Sequence, residues 1–156
     1  MANFLKCFEN TMINEGYGTY TNDPTDHGGE TRWGISKSAH PDIDIKNLDR
    51  EGAMNIYRHE YWNPVKGDKI KDQLIAALLF DTAVLSGVFT ATKLAQIAAN
   101  CPPIDGIMGP VTLSTLNNLD HIGRESFFFA SRFPALLDTL KSVTNPPDRN
   151  AFFWAG

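Results

Sequence analysis

An acidic, glycine-rich segment near the N-terminus carries the side chains best suited to proton-transfer chemistry. Residues 15–34 read EGYGTYTNDPTDHGGETRWG. Glu15 is expected at the C-terminal end of a helix, where the negative end of the helix dipole disfavours ionisation and raises the pKa of a carboxyl group. A carboxyl group that stays protonated near neutral pH can act as a general acid.

Two aspartates in the same segment, Asp23 and Asp26, can supply a second carboxylate across a cleft from Glu15. Glycoside hydrolysis uses such a pair, in which one acid protonates the leaving oxygen and the other stabilises positive charge or activates water. The hydroxyl group of Thr31 is suited to holding that water. The residues alone leave open a solvated acidic loop as the alternative.

The elements that must position this segment are predicted to be mainly helical. Apolar residues at helical spacing predict a first helix that ends before Gly16, and the residues from Tyr17 to Trp33 predict turns and a short β-hairpin. Asp49 and Asp72 are suited to capping the two following helices. We expect helices over residues 3–14, 49–62, 73–86, 90–100, 110–119 and 122–143, the last broken at Pro134.

Composition and charge restrict the class of protein. The 156 residues are 42% hydrophobic and 21% charged, as in a globular domain. The net charge of −4, all of it within residues 1–31, argues against a nucleic-acid partner, and no apolar run is long enough to predict stable membrane insertion. We expect no signal peptide, no metal and no cofactor, and buried free thiols at Cys7 and Cys101, as in a protein made in a reducing cytoplasm.

The acidic segment resembles the N-acetylmuramidases of glycoside hydrolase family 108, which include phage endolysins and secretion-activator muramidases. The family signature runs Glu-Gly-Gly-Tyr and then Asp-Pro-x-Asp-x-Gly-Gly-x-Thr-x-x-Gly, and residues 23–34 match its second part. Its first part reads EGYGTY here, as though two residues were inserted before Tyr20. The block IDGIMGPVTLSTL, residues 104–116, is similar to the family's peptidoglycan-binding part.

The resemblance implies a mainly α, lysozyme-like fold with a small loop-rich β-hairpin region. It implies a muramidase catalytic region at 1–100 and a peptidoglycan-binding helical part at 101–156, packed together as a single compact body. Glu15 would be the catalytic acid.

Phage-type lysozymes space their Glu, Asp and Thr as Glu-x8-Asp-x5-Thr. Carried over, this spacing favours Asp26 over Asp23 as the second carboxylate and makes Thr31 the third residue of the site. Glu30, a variable position of the family motif, is expected to be solvated.

The predicted contacts to substrate combine residues that allow close approach of a sugar with aromatic rings that can stack on it. They are Tyr20, Gly28, Gly29, Tyr61 and Trp62, with Trp33 a weaker aromatic candidate.

The implied function is hydrolysis of the β-1,4 bond between N-acetylmuramic acid and N-acetylglucosamine in peptidoglycan glycan strands. We expect a monomer, made in the host bacterial cytoplasm as a phage endolysin and released to the cell wall by a holin. A lytic transglycosylase and a non-catalytic cell-wall-binding or secretion accessory protein are the alternatives.

Overall fold

A computed structural model of the chain describes residues 1–14, 16–23 and 28–119, together with Gly123 and Glu125. A π-helical turn (Arg58–Trp62) continues the helix Arg50–Tyr57, and a 3₁₀ turn (Gly67–Lys69) precedes the helix Gln73–Ser86. The predicted mainly α fold with a small β region is confirmed. The regular elements are α1 (Phe4–Asn14), β1 (Tyr20–Thr21), β2 (Thr31–Arg32), β3 (Ile35–Ser36), α2 (Arg50–Tyr57), α3 (Gln73–Ser86), α4 (Val88–Ala98) and α5 (Pro110–Asn117).

Two helices begin at the capping residues that the sequence predicts. The Asp72 carboxylate accepts hydrogen bonds from the backbone N–H groups of Leu74 and Ile75 at 2.8 and 3.1 Å. Asp49 accepts one from the N–H of Gly52 at 2.8 Å. These bonds satisfy donors that have no partner within the first helical turn. They fix the N-termini of α3 and α2.

The core is aromatic at its centre, where α1, α3 and the π-helical turn meet. The indole ring of Trp62 lies 5.4 Å from the ring of Phe4 and 5.9 Å from that of Phe80, measured between centroids. Such pairs contribute about 0.5–1.5 kcal/mol each beyond their buried area. The indole nitrogen of Trp62 donates a hydrogen bond to Asp68 at 2.9 Å, so its polar atom is satisfied inside the core.

The helix α3 is buried along its middle but not at its ends. Leu74 and Leu85 are exposed, and so is Leu5 in α1. The spacing of apolar residues therefore locates these helices correctly but does not decide which apolar residues remain at their margins. Among the described residues, no helix has the length and apolar character needed to cross a bilayer.

The two cysteines are free and buried, as predicted. Burial raises the pKa of the Cys7 thiol to about 11, although a hydrogen bond from the Gln73 amide acts in the opposite direction. The neutral thiol is the unreactive form. Cys7 therefore serves as a small apolar side chain between the N-terminal ends of α1 and α3.

The loop between α4 and α5 is organised around the buried side chain of Gln96. Its amide nitrogen donates to Asp105 at 2.8 Å and to the Thr112 hydroxyl at 3.1 Å, and its oxygen accepts from the N–H of Gly106 at 2.9 Å. Gly106 has φ +74°, and a Cβ at this position would come within 2.5 Å of the Phe89 ring. The Asp-Gly and Thr of the 104–116 block are therefore needed for the fold of this loop.

We expect Asp105→Asn to weaken the dependence of stability on pH in the acidic range. The hydrogen bond from Gln96, and then that from the N–H of Ile107, lowers the pKa of Asp105. A carboxyl group whose pKa is lower in the folded state stabilises the fold above its unfolded pKa, and this contribution is lost as pH falls through the folded pKa. Between about pH 5 and pH 3, the urea midpoint of the wild type should therefore fall further than that of the variant.

The exposed residue Asp42 offers a matched control, because Asp42→Asn makes the same chemical change away from this loop. Its urea midpoint should follow that of the wild type across the pH range. Equal pH dependence in the wild type and Asp105→Asn would contradict the assignment.

Candidate functional site

The acidic segment, residues 15–34, contains the first two strands of a three-stranded antiparallel sheet ordered β1-β2-β3. Thr31 pairs with Thr21 on one side and with Ser36 on the other. Because side chains alternate along a strand, these three hydroxyl groups share one face of the sheet. The other face carries Tyr20, Arg32 and Ile35, and Ile35 is buried. The sheet thus has a hydroxyl face (Thr21, Thr31 and Ser36) and a face that includes the core residue Ile35.

The residues that lead into β2 include the two glycines of the motif. Gly29 has φ +69°, a conformation that glycine adopts without strain. The carbonyl of Gly28 accepts a hydrogen bond from the N–H of Ser38 at 3.2 Å. The half-buried Thr31 hydroxyl lies 3.3 Å from the carbonyl of Gly29, to which it donates. Together these contacts fix the segment at residues 28–30, which leads into β2.

Tyr20 and Glu30 form a pair on the opposite side of the sheet from Thr31. The Tyr20 hydroxyl donates to the Glu30 carboxylate at 2.9 Å, and this bond is the main reason that the pKa of Tyr20 is raised. Glu30 is half-buried. The expectation of a simply solvated Glu30 was therefore wrong, and the side chains of Tyr20 and Thr31 are not brought together.

The aromatic residues predicted to stack on sugars divide into core and surface. Trp62 has no exposed surface, which corrects its prediction as a substrate contact: its indole is packed among core rings. Trp33 is also buried, with its indole nitrogen donating to the carbonyl of Leu48 at 3.1 Å. Tyr61 is half-buried, with its ring 5.6 Å from that of Tyr57. Tyr20 is likewise half-buried, so the two tryptophans are the candidates that lie in the core.

Of the three predicted catalytic carboxylates, Asp23 lies among the residues that the structure describes. Asp23 is exposed in the segment that follows β1. Glu15 and Asp26 lie outside the described residues, and so does the predicted helix at 122–143 apart from Gly123 and Glu125. In the parts of the chain that the structure describes, no group of three or more His, Cys, Asp and Glu side chains is arranged to hold a metal ion.

The end of α1, directly before Glu15 in the chain, is closed by a turn with left-handed backbone. Gly16 has φ +79°, and the N–H of Tyr17 donates to the carbonyl of Met12 at 3.1 Å, as in a glycine-terminated helix end. The predicted end of the first helix is therefore confirmed, and its cause is a backbone hydrogen bond that spans position 15.

Three polar contacts around α1 were not found by sequence reasoning. The Thr11 hydroxyl donates to Asp81 of α3 at 3.2 Å, and Glu9 accepts a hydrogen bond from the Tyr17 hydroxyl at 2.6 Å while also pairing with Arg50. Thr11 and Asp81 are 70 positions apart in the sequence. No short motif signals such a pair, because it exists only once α1 and α3 have packed together.

Comparison with known proteins finds a matching family model and similar solved structures. The family model described as Glycosyl hydrolase 108 matches residues 8–87, a range that contains Glu15, Asp23, Asp26 and Thr31. The solved structure of SagA from Brucella abortus is similar at 26% sequence identity, with a TM-score of 0.67 over 91% of this chain and 83% of that chain. The chain matches no curated protein sequence.

Proposed function

Because the chain belongs to glycosyl hydrolase family 108, and is thereby a glycoside hydrolase, we propose that it is an N-acetylmuramidase acting on peptidoglycan. The bond cleaved is the β-1,4 linkage between N-acetylmuramic acid and N-acetylglucosamine. The family match over residues 8–87 carries this proposal, since it contains the whole acidic segment. The similarity to SagA supports a shared architecture for the chain around it.

In the proposed reaction, Glu15 protonates the glycosidic oxygen. Asp26, with Asp23 as the alternative, stabilises the positive charge that develops on the sugar or activates the attacking water. Thr31 holds that water or a sugar hydroxyl. Its position on the hydroxyl face supports this role, because hydroxyl groups both donate and accept hydrogen bonds and so match the hydroxyl groups of a glycan.

The surroundings of the reaction are part of the same proposal. The close backbone approach at Gly28 and Gly29 and the ring of Tyr61 contribute contacts to the sugars, whereas Tyr20 lies on the other face of the sheet with its hydroxyl bound to Glu30. The C-terminal part, residues 101–156, extends the contact along the peptidoglycan strand. The motif resemblance favours a monomeric bacteriophage endolysin, released from the host bacterial cytoplasm by a holin.

The test is product analysis after digestion of purified peptidoglycan. A muramidase adds water across the bond and leaves reducing N-acetylmuramic acid ends, which borohydride converts to the alcohol. We therefore expect muropeptides whose masses increase on reduction. Products with anhydro ends that resist reduction would instead identify a lytic transglycosylase. Binding to the wall without release of soluble fragments would identify an accessory protein.

A further inference from the structure

We propose that Tyr17 is a positioning residue for this reaction. This proposal rests on the proposed function, because it takes Glu15 as the acid. The hydroxyl of Tyr17, bound to Glu9, fixes the turn that follows Glu15. Tyr17 lies within EGYGTY, at the start of the acidic segment.

The backbone of this turn is strained at Tyr17. Gly16, Tyr17 and Gly18 have φ values of +79°, +47° and +82°. Glycine adopts such values freely, but a tyrosine does so at a cost in free energy, and such residues persist where surrounding contacts hold them. Tyr17 is 54% exposed, so burial of its ring does not account for the conformation. Its polar contacts must contribute to holding it.

Two hydrogen bonds attach Tyr17 to α1, one from its backbone and one from its side chain. Its N–H donates to the carbonyl of Met12 at 3.1 Å, and its hydroxyl donates to a carboxylate oxygen of Glu9 at 2.6 Å. The other oxygen of Glu9 pairs with the guanidinium group of Arg50, the first residue of α2. Hydrogen bonds to an ionised acceptor are shorter and stronger than neutral ones. Glu9 is thus held from two sides and gives Tyr17 a fixed anchor.

The turn is also held against the sheet. The ring of Tyr17 lies 5.9 Å from the indole ring of Trp33, and a Cβ at Gly18 would come within 2.6 Å of the same indole. Trp33 is itself fixed by the hydrogen bond from its indole nitrogen to the carbonyl of Leu48. The turn after Glu15 is therefore clamped between α1, the β2–β3 connection and the start of α2.

The consequence is a role in the rate of the chemical step. A catalytic group must be held close to its productive geometry, and a displacement of about 1 Å can lower the rate by about 100-fold. Removal of the Tyr17 hydroxyl breaks the bond to Glu9 but leaves the ring against Trp33. We therefore expect the turn to stay folded but to be held less rigidly where it follows Glu15.

The experiment compares kcat and KM for hydrolysis of solubilised peptidoglycan. Tyr17→Phe should lower kcat by about tenfold and change KM by less than about twofold. Glu9→Gln keeps an oxygen that accepts the Tyr17 hydroxyl, so it should lose less activity than Glu9→Ala. In the Glu9→Ala background, Tyr17→Phe should have no further effect, because the bond is already absent.

Tyr57→Phe is a matched control, since it removes the buried hydroxyl that donates to the carbonyl of Trp33 at 2.9 Å. It should lower the melting temperature more than Tyr17→Phe but reduce kcat less. The proposal is overturned if Tyr17→Phe has the kcat of the wild type while Glu15→Gln is inactive. Absence of hydrolysis by the wild type would refute the proposed function itself, and the positioning role with it.

Discussion

Glu15→Gln is expected to hydrolyse peptidoglycan about 10²- to 10⁴-fold more slowly than the wild type, the usual contribution of a general acid. The substitution preserves the size of the side chain and removes its acidic proton. The leaving sugar must then depart without protonation. The rate of release of reducing ends, measured with substrate in excess, gives the change in kcat directly.

The control for Glu15→Gln is Glu51→Gln, because Glu51 is an exposed carboxylate in the first turn of α2. This variant should have the activity of the wild type. If Glu15→Gln also has that activity, the acid lies elsewhere and the catalytic assignment is wrong. If Glu15→Gln is inactive, Asp26→Asn and Asp23→Asn rank the second carboxylate, and Asp26→Asn should cause the larger loss.

The features that the sequence predicts well depend on interactions between near neighbours. The helix at residues 73–86 is found at its predicted limits because the Asp72 cap directly precedes it and the apolar run lies within it. The helix at 3–14 ends where predicted because Gly16 supplies the left-handed residue that closes it. Local propensity and capping therefore define these boundaries without knowledge of the tertiary structure.

The features that the sequence predicts poorly depend on contacts between residues that are distant in the chain. The register of the sheet places Tyr20 and Thr31 on opposite faces, and a one-residue change of register would reverse this. The clamp on Tyr17 depends on Arg50, which is far away in the chain. The predicted helix at 49–62 becomes π-helical after Tyr57, and this extra residue per turn changes which side chains face the core.

Trp62→Ala should lower the free energy of unfolding by about 3–5 kcal/mol, as expected for removal of a large buried aromatic side chain. The indole is fully buried, contacts Phe4 and Phe80, and lies so close to Gly67 that a Cβ there would overlap it. Alanine would leave a cavity that these rings cannot fill without moving, and it would remove the donor to Asp68. Urea unfolding followed by circular dichroism measures the change.

Trp62→Phe separates this structural role from the sugar stacking that the sequence suggested. A buried Trp62 predicts that the phenylalanine variant, while still folded, keeps the KM of the wild type at reduced stability. Leu74→Ala, at an exposed position of α3, should change stability by no more than about 0.5 kcal/mol. A Trp62→Ala protein with the stability of the wild type and a raised KM would place the indole in the binding cleft and contradict the packing of the core. With Trp62 in the core, the aromatic contact to sugar is expected from Tyr61, which lies on the same turn but is only half-buried. Tyr61→Ala should therefore raise KM where Trp62→Phe does not.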